Sequence, residues 1–208
     1  GKTLLASRLP GILPPPNAEE ILQGLALRDL HDYSARDHCN FQRPFRNPHH
    51  SATAAALVGG GSRPRPGEIS LAHGGGLFLD ELPEFRRCCL EVLREPMESG
   101  EITLCRASHR ITYPARFQLV AAMNPCPCGY WGDAEHPCRC TPDQIQRYRA
   151  RVSGPLLDRI DLHVQVNRLP PGDLLTPSHN GECTATVQAR VERSRARQQQ
   201  RQGCPNAQ

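Results

Sequence analysis

The sequence predicts an α/β fold, a parallel sheet covered by helices on both faces. Three observations carry this. Apolar runs of strand length recur at residues 77–81 (LFLDE), 117–122 (FQLVAA) and 160–166 (IDLHVQV). Runs with helical spacing separate them, and proline and glycine clusters punctuate the boundaries, among them Pro14-Pro15-Pro16 and Gly59-Gly60-Gly61. Ligands in such folds sit at the carboxyl ends of the strands.

Taken in order, residues 3–9 (TLLASRL) are helical until Pro10 and Gly11 stop them. Asn17 caps a second helix over 18–31, with Glu19 and Glu20 in its first turn. Residues 32–40 are polar and read as a loop. Residues 43–50 (RPFRNPHH) are extended, held to an edge or a turn by two prolines. Residues 51–58 form a short helix, and His49 and His50 before it are assigned a capping role and no chemical one. Residues 83–98 read as one helix, with Phe85, Cys89, Val92 and Leu93 on one face and Cys88 beside them as a packing residue. Residues 101–117 alternate as a β-hairpin with a basic tip. The run over 117–122 is a buried strand ending at Asn124, residues 142–152 are helical, and residues 160–166 make a last strand. An arginine- and glutamine-rich helix spans 184–201.

A chain of 208 residues can bury one sizeable core, and with 5% aromatics that core must be mainly aliphatic. A net charge of +4 permits an anionic partner without requiring one. No run of 18 apolar residues exists, so no helix is expected to span a membrane. Ten cysteines favour metal sites over disulfides and a reducing, cytoplasmic setting.

Two short motifs carry chemistry. Gly1-Lys2-Thr3 is the second half of a phosphate-binding loop, and a helix starting there offers free N–H groups to an anion. Among 25 lysines and arginines Lys2 is the sole lysine. A compact ammonium fits between phosphate oxygens where a planar guanidinium is too wide, which argues against a chance survivor. The strand ending in Asp80-Glu81 supplies a magnesium-holding acid and a water-activating acid. Together the motifs imply hydrolysis of a nucleoside triphosphate. They also lead to the expectation that the chain is a fragment: the glycine-rich first half of the loop and the central strand carrying it would precede Gly1, and the isolated chain would bind ATP poorly.

Four segments carry a family resemblance: RPFRNPHHSATAAALVGGG, PGEISLAHGGGLFLDELPEF, EPMESGEITLCRASHRITYPARFQLVAAMNPCPCG and CRCTPDQIQRYRARVSGPLLDRIDL. They resemble the magnesium-chelatase-like AAA+ ATPases of bacteria, and within them the ComM/YifB type. The resemblance implies a AAA+ P-loop NTPase core over residues 1–168, with a hairpin insertion before the sensor strand. Residues 169–208 would be a linker and the first basic helix of a lid domain. It further implies that Lys2, beside Gly1, binds the β- and γ-phosphates of ATP, and that Thr3 and Asp80 hold Mg2+. Glu81 would polarise the attacking water, Asn124 would be the polar sensor, and Arg159 the finger reaching a neighbouring subunit's ATP. A finger in trans makes hydrolysis depend on a homo-oligomeric ring, a hexamer in such proteins. Taken singly, Asp80-Glu81 is compatible with a solvated strand end, Asn124 with a turn cap, and Arg159 with an ion pair to Asp158 or Asp161.

Two further features remain. Cys126-Pro-Cys128 and Cys138-Arg-Cys140 are Cys-x-Cys pairs nine residues apart, with Gly129, Gly132 and Pro137 letting the loop turn back. Four thiolates at tetrahedral distance suit Zn2+, with His136 as a substitute for one of them; labile thiols or disulfides are the alternative. Arg106, His109 and Arg110 at the hairpin tip are candidates for contact with single-stranded or branched DNA, against an ordinary solvated turn. The functional expectation is an ATP-driven DNA motor for branch migration in natural transformation and recombination. The alternatives are a chelatase-type motor working through a protein partner, and a binding module without motor activity.

Overall fold

The computed structural model describes residues 1–31, 42–61, 63–106, 109–133, 135–167 and 181–204, with the backbone alone at residues 106 and 109. The chain divides into two compact units, Gly1–Pro15 with His163–Gln208, and Pro16–Leu162. The smaller unit begins with α1 (Lys2–Arg8), which runs into a 3-10 turn at Leu9–Ile12. Pro10 lies at the start of that turn, where its missing N–H costs no hydrogen bond.

The larger unit opens with α2 (Ala18–His31), the helix expected there. Its cap is reciprocal: Asn17 Oδ1 accepts the Glu20 N–H at 2.8 Å and Glu20 Oε2 accepts the Asn17 N–H at 2.8 Å. The loop expected over 32–40 lies outside the described residues. The extended RPFRNPHH segment contains β1 (Phe45–Arg46). Next come α3 (Ala54–Val58), capped by the Thr53 hydroxyl, and a small antiparallel ladder of β2 (Gly59–Gly60) with β3 (Arg65–Pro66). Then follow α4 (Glu68–Leu71) and β4 (Gly76–Leu79).

Beyond β4 the single helix expected over 83–98 is broken into three pieces. A 3-10 turn covers Leu82–Glu84, α5 covers Arg87–Glu91 and α6 covers Arg94–Ser99. Phe85 is extended at φ −65° and ψ 143°, which ends the first piece. Pro96 cannot donate to a preceding turn and is tolerated only in the opening turn of a new helix. Cys89 is buried as expected, whereas Cys88 is exposed, because the short α5 turns only one of two adjacent residues inward.

The hairpin forms as β5 (Glu101–Arg106) and β6 (His109–Pro114). Arg106 pairs with His109 and Cys105 with Arg110. These residues are the last rungs of the ladder, and the turn at 107–108 lies outside the described residues. The hairpin base is tied down by Ile102 and Tyr113, both buried, and by the Tyr113 hydroxyl donating to the Pro64 carbonyl at 2.8 Å. β7 (Gln118–Ala121) follows. It is less buried than expected, with Gln118 and Ala121 exposed. The chain continues through α7 (Pro142–Arg149), α8 (Gly154–Leu157) and, in the smaller unit, α9 (Thr184–Gln202).

The strand expected over 160–166 is absent. Leu162 and Val164 are about four-fifths exposed, at 81% and 80%. Alternating apolar residues make a strand only when a neighbour accepts their backbone bonds, and these residues join no ladder among the described residues.

The principal sheet is parallel, in the order β1-β4-β7. β4 is its middle strand, buried at all four residues. Leu77, Leu79, Leu57, Ile69, Leu82, Leu90, Leu93 and Leu156 form the core around it, aliphatic as the composition requires. Two forked ion pairs fasten β1 to its surroundings. Arg43 grips Glu20 of α2 through two bonds of 2.9 Å, and Arg46 grips Glu68 of α4 at 2.6 and 2.7 Å. His73 closes the edge. Its Nε2–H donates to Gln23 Oε1 at 2.7 Å while Nδ1 accepts the Arg116 N–H at 3.1 Å.

Two outcomes follow from this packing. A Cβ on Gly75 would lie 1.9 Å from the Pro44 carbonyl oxygen, which is backbone and cannot give way. Gly75→Ala is therefore expected to destabilise the chain by about 3 kcal/mol in urea unfolding, the upper range for overpacking. Burial and the Arg116 charge hold His73 below its ordinary value, so the unfolded chain binds the proton more readily. Its contribution is fully present above pH 6.5, its unfolded value, and is lost as pH falls through the lower folded one. His73→Gln should flatten that part of the stability–pH profile.

Candidate functional site

The acidic pair sits where the middle strand leaves the core. Leu79 is fully buried, Asp80 half-buried and Glu81 exposed, so the strand itself carries the carboxylates from apolar interior to solvent. Asp80 Oδ1 accepts the Glu81 N–H at 2.9 Å. Glu81 has φ 52° and ψ 47°, and is the one non-glycine residue with positive φ among those described. An L-residue there costs about 1–2 kcal/mol, and such conformations persist where surrounding structure over-determines them. Here the next residue is pinned: the Leu82 N–H donates to the Ala122 carbonyl at 2.9 Å, and the Ala122 N–H donates to the Leu79 carbonyl at 2.9 Å. The chain must turn sharply between two fixed points, and Glu81 takes the turn.

Its carboxylate meets His50, with Nδ1 to Oε2 at 3.2 Å. His50 lies against His49, ring centroids 4.0 Å apart, and edge-on to Phe85. His49 does not cap the helix as expected, because α3 starts at Ala54 and Thr53 caps it; His49 instead closes the turn before it, bonding Ser51 at 2.8 Å and accepting the Ala52 N–H through its carbonyl at 2.9 Å. His50, expected to have no chemical role, reaches the acid at the end of β4. Only the parallel pairing of β1 with β4, Phe45 opposite Gly76, brings the residues after β1 to that strand's carboxyl end.

Asn124 lies three residues beyond β7, whose Ala121 pairs with Leu79. Its backbone N–H reaches the Tyr148 hydroxyl of α7. Burial raises the Tyr148 phenol above its ordinary value, and the Asn124 amide partly offsets this. α7 is stitched to the same end of the sheet by its neighbours as well. Arg151 donates to Glu84 at 2.9 Å, and Arg149 donates to the Pro125 carbonyl at 3.3 Å while covering the Trp131 ring at 4.2 Å. Arg159, just beyond α8, pairs with Glu98 of α6 and bonds the Pro155 carbonyl, rather than Asp158 or Asp161.

Gly1, Lys2 and Thr3 belong to the smaller unit. Gly1 is the N-cap of α1, accepting the Leu5 N–H at 3.1 Å through its carbonyl. Lys2 and Thr3 are the first two helical residues, half-buried and exposed. A helix start with an ammonium and a hydroxyl has the donor chemistry for phosphate and a hard cation. The Asp80 carboxylate, partly open to solvent, likewise suits Mg2+ with phosphate oxygens and water completing the shell. On the hairpin, Arg110 is exposed.

The four cysteines of the two Cys-x-Cys pairs converge, all sulfurs within 4.8 Å of one another. His136 is not among them. It stacks on Tyr130 with centroids 5.2 Å apart and faces Asp133. Gly129 and Gly132 have φ of 83° and 85°, the turning positions expected of them. The backbone N–H groups of Tyr130 and Arg139 pull the Cys128 thiol down to about 6. The Cys140 N–H lowers Cys138, but burial and the sulfurs of Cys128 and Cys126 outweigh it and push Cys138 up to about 12.

A glycine at residue 81 removes a backbone penalty that an ordinary position does not carry. Glu81→Gly is expected to leave thermal stability equal to or above that of the native chain, against the loss of about 0.5–1 kcal/mol that a new glycine brings to regular structure. A melting temperature lowered as much as by a glycine in α2 would show the turn to be unstrained.

The family model of magnesium chelatase, subunit ChlI, matches residues 1–174. Over 207 residues, all of this chain, the sequence is 55% identical to the YifB protein of Salmonella typhimurium, 54% to YifB of Escherichia coli, and 51% to the competence protein ComM of Haemophilus influenzae. The chain spans 40% of the length of each of these relatives. With a parallel sheet delivering paired acids from its middle strand and a family match over most of its length, the chain belongs to the magnesium chelatase subunit ChlI family, of AAA+ ATPase type, and resembles YifB and ComM throughout.

Proposed function

We propose that the chain binds and hydrolyses ATP as the core of a ring motor that acts on DNA. The observation that carries this is the end of β4, where a buried strand delivers Asp80 and, through a left-handed turn, Glu81 beside β7, the strand that leads to Asn124. Phosphoryl transfer asks a protein mainly for positioning and charge stabilisation. Lys2, with Gly1 at the loop, would hold the β- and γ-phosphates. Thr3 and Asp80 would hold Mg2+, which when bound supplies charge neutralisation at the phosphates. Glu81 orients and deprotonates the attacking water, and Asn124 places that water against the γ-phosphate. His50 holds the Glu81 carboxylate at 3.2 Å, a contact that must loosen or rotate when the water is in place.

Arg159 is the finger that completes the site of a neighbouring subunit in a homo-oligomeric ring, taken as a hexamer. In the single chain it rests on Glu98. A partly exposed pair of this kind is worth at most about 1 kcal/mol, little enough for a subunit interface to displace. DNA is the favoured substrate because one relative is named a competence protein and because the hairpin ladder ends in Arg106, His109 and Arg110. Repeated around a ring, that ladder end would line a positive channel suited to single-stranded or branched DNA. Residues 1–168 would be the ATPase core and 169–208 the start of a lid domain, in a cytoplasmic protein. The family's namesake supports a second reading, a chelatase-type motor that drives a protein partner.

The test is the ATPase rate of the assembled protein with and without forked and four-way DNA. DNA stimulation is the expected result, and robust hydrolysis with neither stimulation nor low-salt DNA binding would move the reading to the protein partner. Glu81→Gln should lower the rate about a thousandfold with ATP binding retained. Arg159→Ala should lower it by about the same factor, also without loss of ATP binding by the subunit. Arg110→Ala should weaken DNA binding and lessen its salt dependence, while hydrolysis without DNA stays unchanged.

A further inference from the structure

The cysteine cluster has a geometry that free thiols have no reason to adopt. Cys126 and Cys128 sulfurs are 3.3 Å apart, Cys126 and Cys138 3.7 Å, and Cys128 and Cys138 3.6 Å. Zn–S bonds of about 2.3 Å in a tetrahedron place sulfurs about 3.8 Å apart. Two disulfides would divide the four into bonded pairs at about 2.05 Å with longer gaps between. Here one sulfur sits at similar distances from two others, and all four are free cysteines.

The surroundings supply a backbone donor to each of the four sulfurs. Trp131 donates to Cys126 at 3.3 Å. Tyr130 and Arg139 donate to Cys128, Cys140 donates to Cys138, and Cys128 donates to Cys140. The two Cys-x-Cys turns thus exchange amide bonds across the cluster, an outer shell that orients the four sulfurs toward one centre. Cys126 is fully buried and the other three are half-buried, so the centre is closed to solvent on one side.

We propose that Cys126, Cys128, Cys138 and Cys140 bind a single Zn2+ as a closed tetrathiolate, and that the ion clips the chain after Asn124 to the start of α7. The clip has a definite mechanical consequence. Thr141, next to Cys140, opens α7 with a capping box, and Tyr148 of the same helix meets the Asn124 backbone. Arg149 then returns to the Pro125 carbonyl and to Trp131. Metal, loop and helix form one closed circuit around Asn124. All four positions are filled by thiolates, so the ion has no open position for a substrate and its role is structural. The site stands whether or not the chain hydrolyses ATP.

The test is made on the full chain, purified under reducing, metal-replete conditions. Elemental analysis should find one zinc per chain. Cobalt substitution should give the visible bands of a tetrahedral sulfur site. Trp131, the sole tryptophan, donates its backbone N–H to Cys126, so its fluorescence should shift when a thiol-reactive reagent and chelator withdraw the metal, and recover when zinc returns. Cys140→Ser should weaken zinc affinity by more than the about 10–100-fold that losing an outer-shell partner costs. Cys88→Ser and Cys105→Ser, at exposed sites, should leave zinc content unchanged. Reduced protein free of zinc and giving no cobalt bands would overturn the proposal. So would full zinc content in a Cys126→Ser/Cys140→Ser chain, and the reversible metal withdrawal keeps the test decisive even where a serine variant misfolds.

Discussion

The larger unit depends on one constraint: β4 must be buried on every side and still end in two carboxylates. A strand with four inward residues can exist only where both neighbours complete its backbone bonds and side chains seal both faces. β1 and β7 supply the bonds, Gly75 allows the Pro44 carbonyl to come within reach of Gly76, and the leucines of α3, α5 and their neighbours supply the seal. The charged groups cannot follow the strand inward, so they gather where it emerges. The site is in this sense a by-product of burial, sharpened by a turn that only a pinned backbone would tolerate.

α7 has a comparable role at the same end of the sheet. It contributes few apolar contacts and is instead fastened by polar ones, through Tyr148 to Asn124, Arg149 to Pro125 and Trp131, and, just past its end, Arg151 to Glu84. These contacts are individually modest. Their value is that they meet the chain at the residues following β4 and β7, so the two strand ends are held in register by one helix. The cysteine cluster sits at the head of that helix, where a small displacement would otherwise be amplified along its length.

Much of this was legible in advance. The second helix appeared at its expected bounds because Asn17 and Glu20 declare a cap, and the acidic strand was visible because glycines and a run of three apolar residues frame it. The cysteine convergence followed from spacing and two turning glycines. Other features were hidden because they depend on partners distant in sequence. The alternation over 160–166 was a genuine pattern without a neighbour to pair with, so it made no strand. The helix over 83–98 satisfied the apolar period but not the backbone chemistry of Pro83 and Pro96. His50 could not be placed, since its contact with Glu81 is created by a parallel pairing across thirty residues of chain. His73 likewise shows no local sign of its bonds to Gln23 and Arg116.

The left-handed turn at Glu81 has an evolutionary consequence. Most positions on a protein surface can wander among many side chains at little cost. At this one the backbone itself favours glycine or asparagine, and a long acidic side chain is held there against that pull. Drift at the position therefore has a direction. A lineage released from the need for the carboxylate should lose it early and toward the smaller residues, gaining stability as it does so. Such a relative would keep the whole scaffold and record, in a single residue, that the hydrolysis proposed for this site had lapsed.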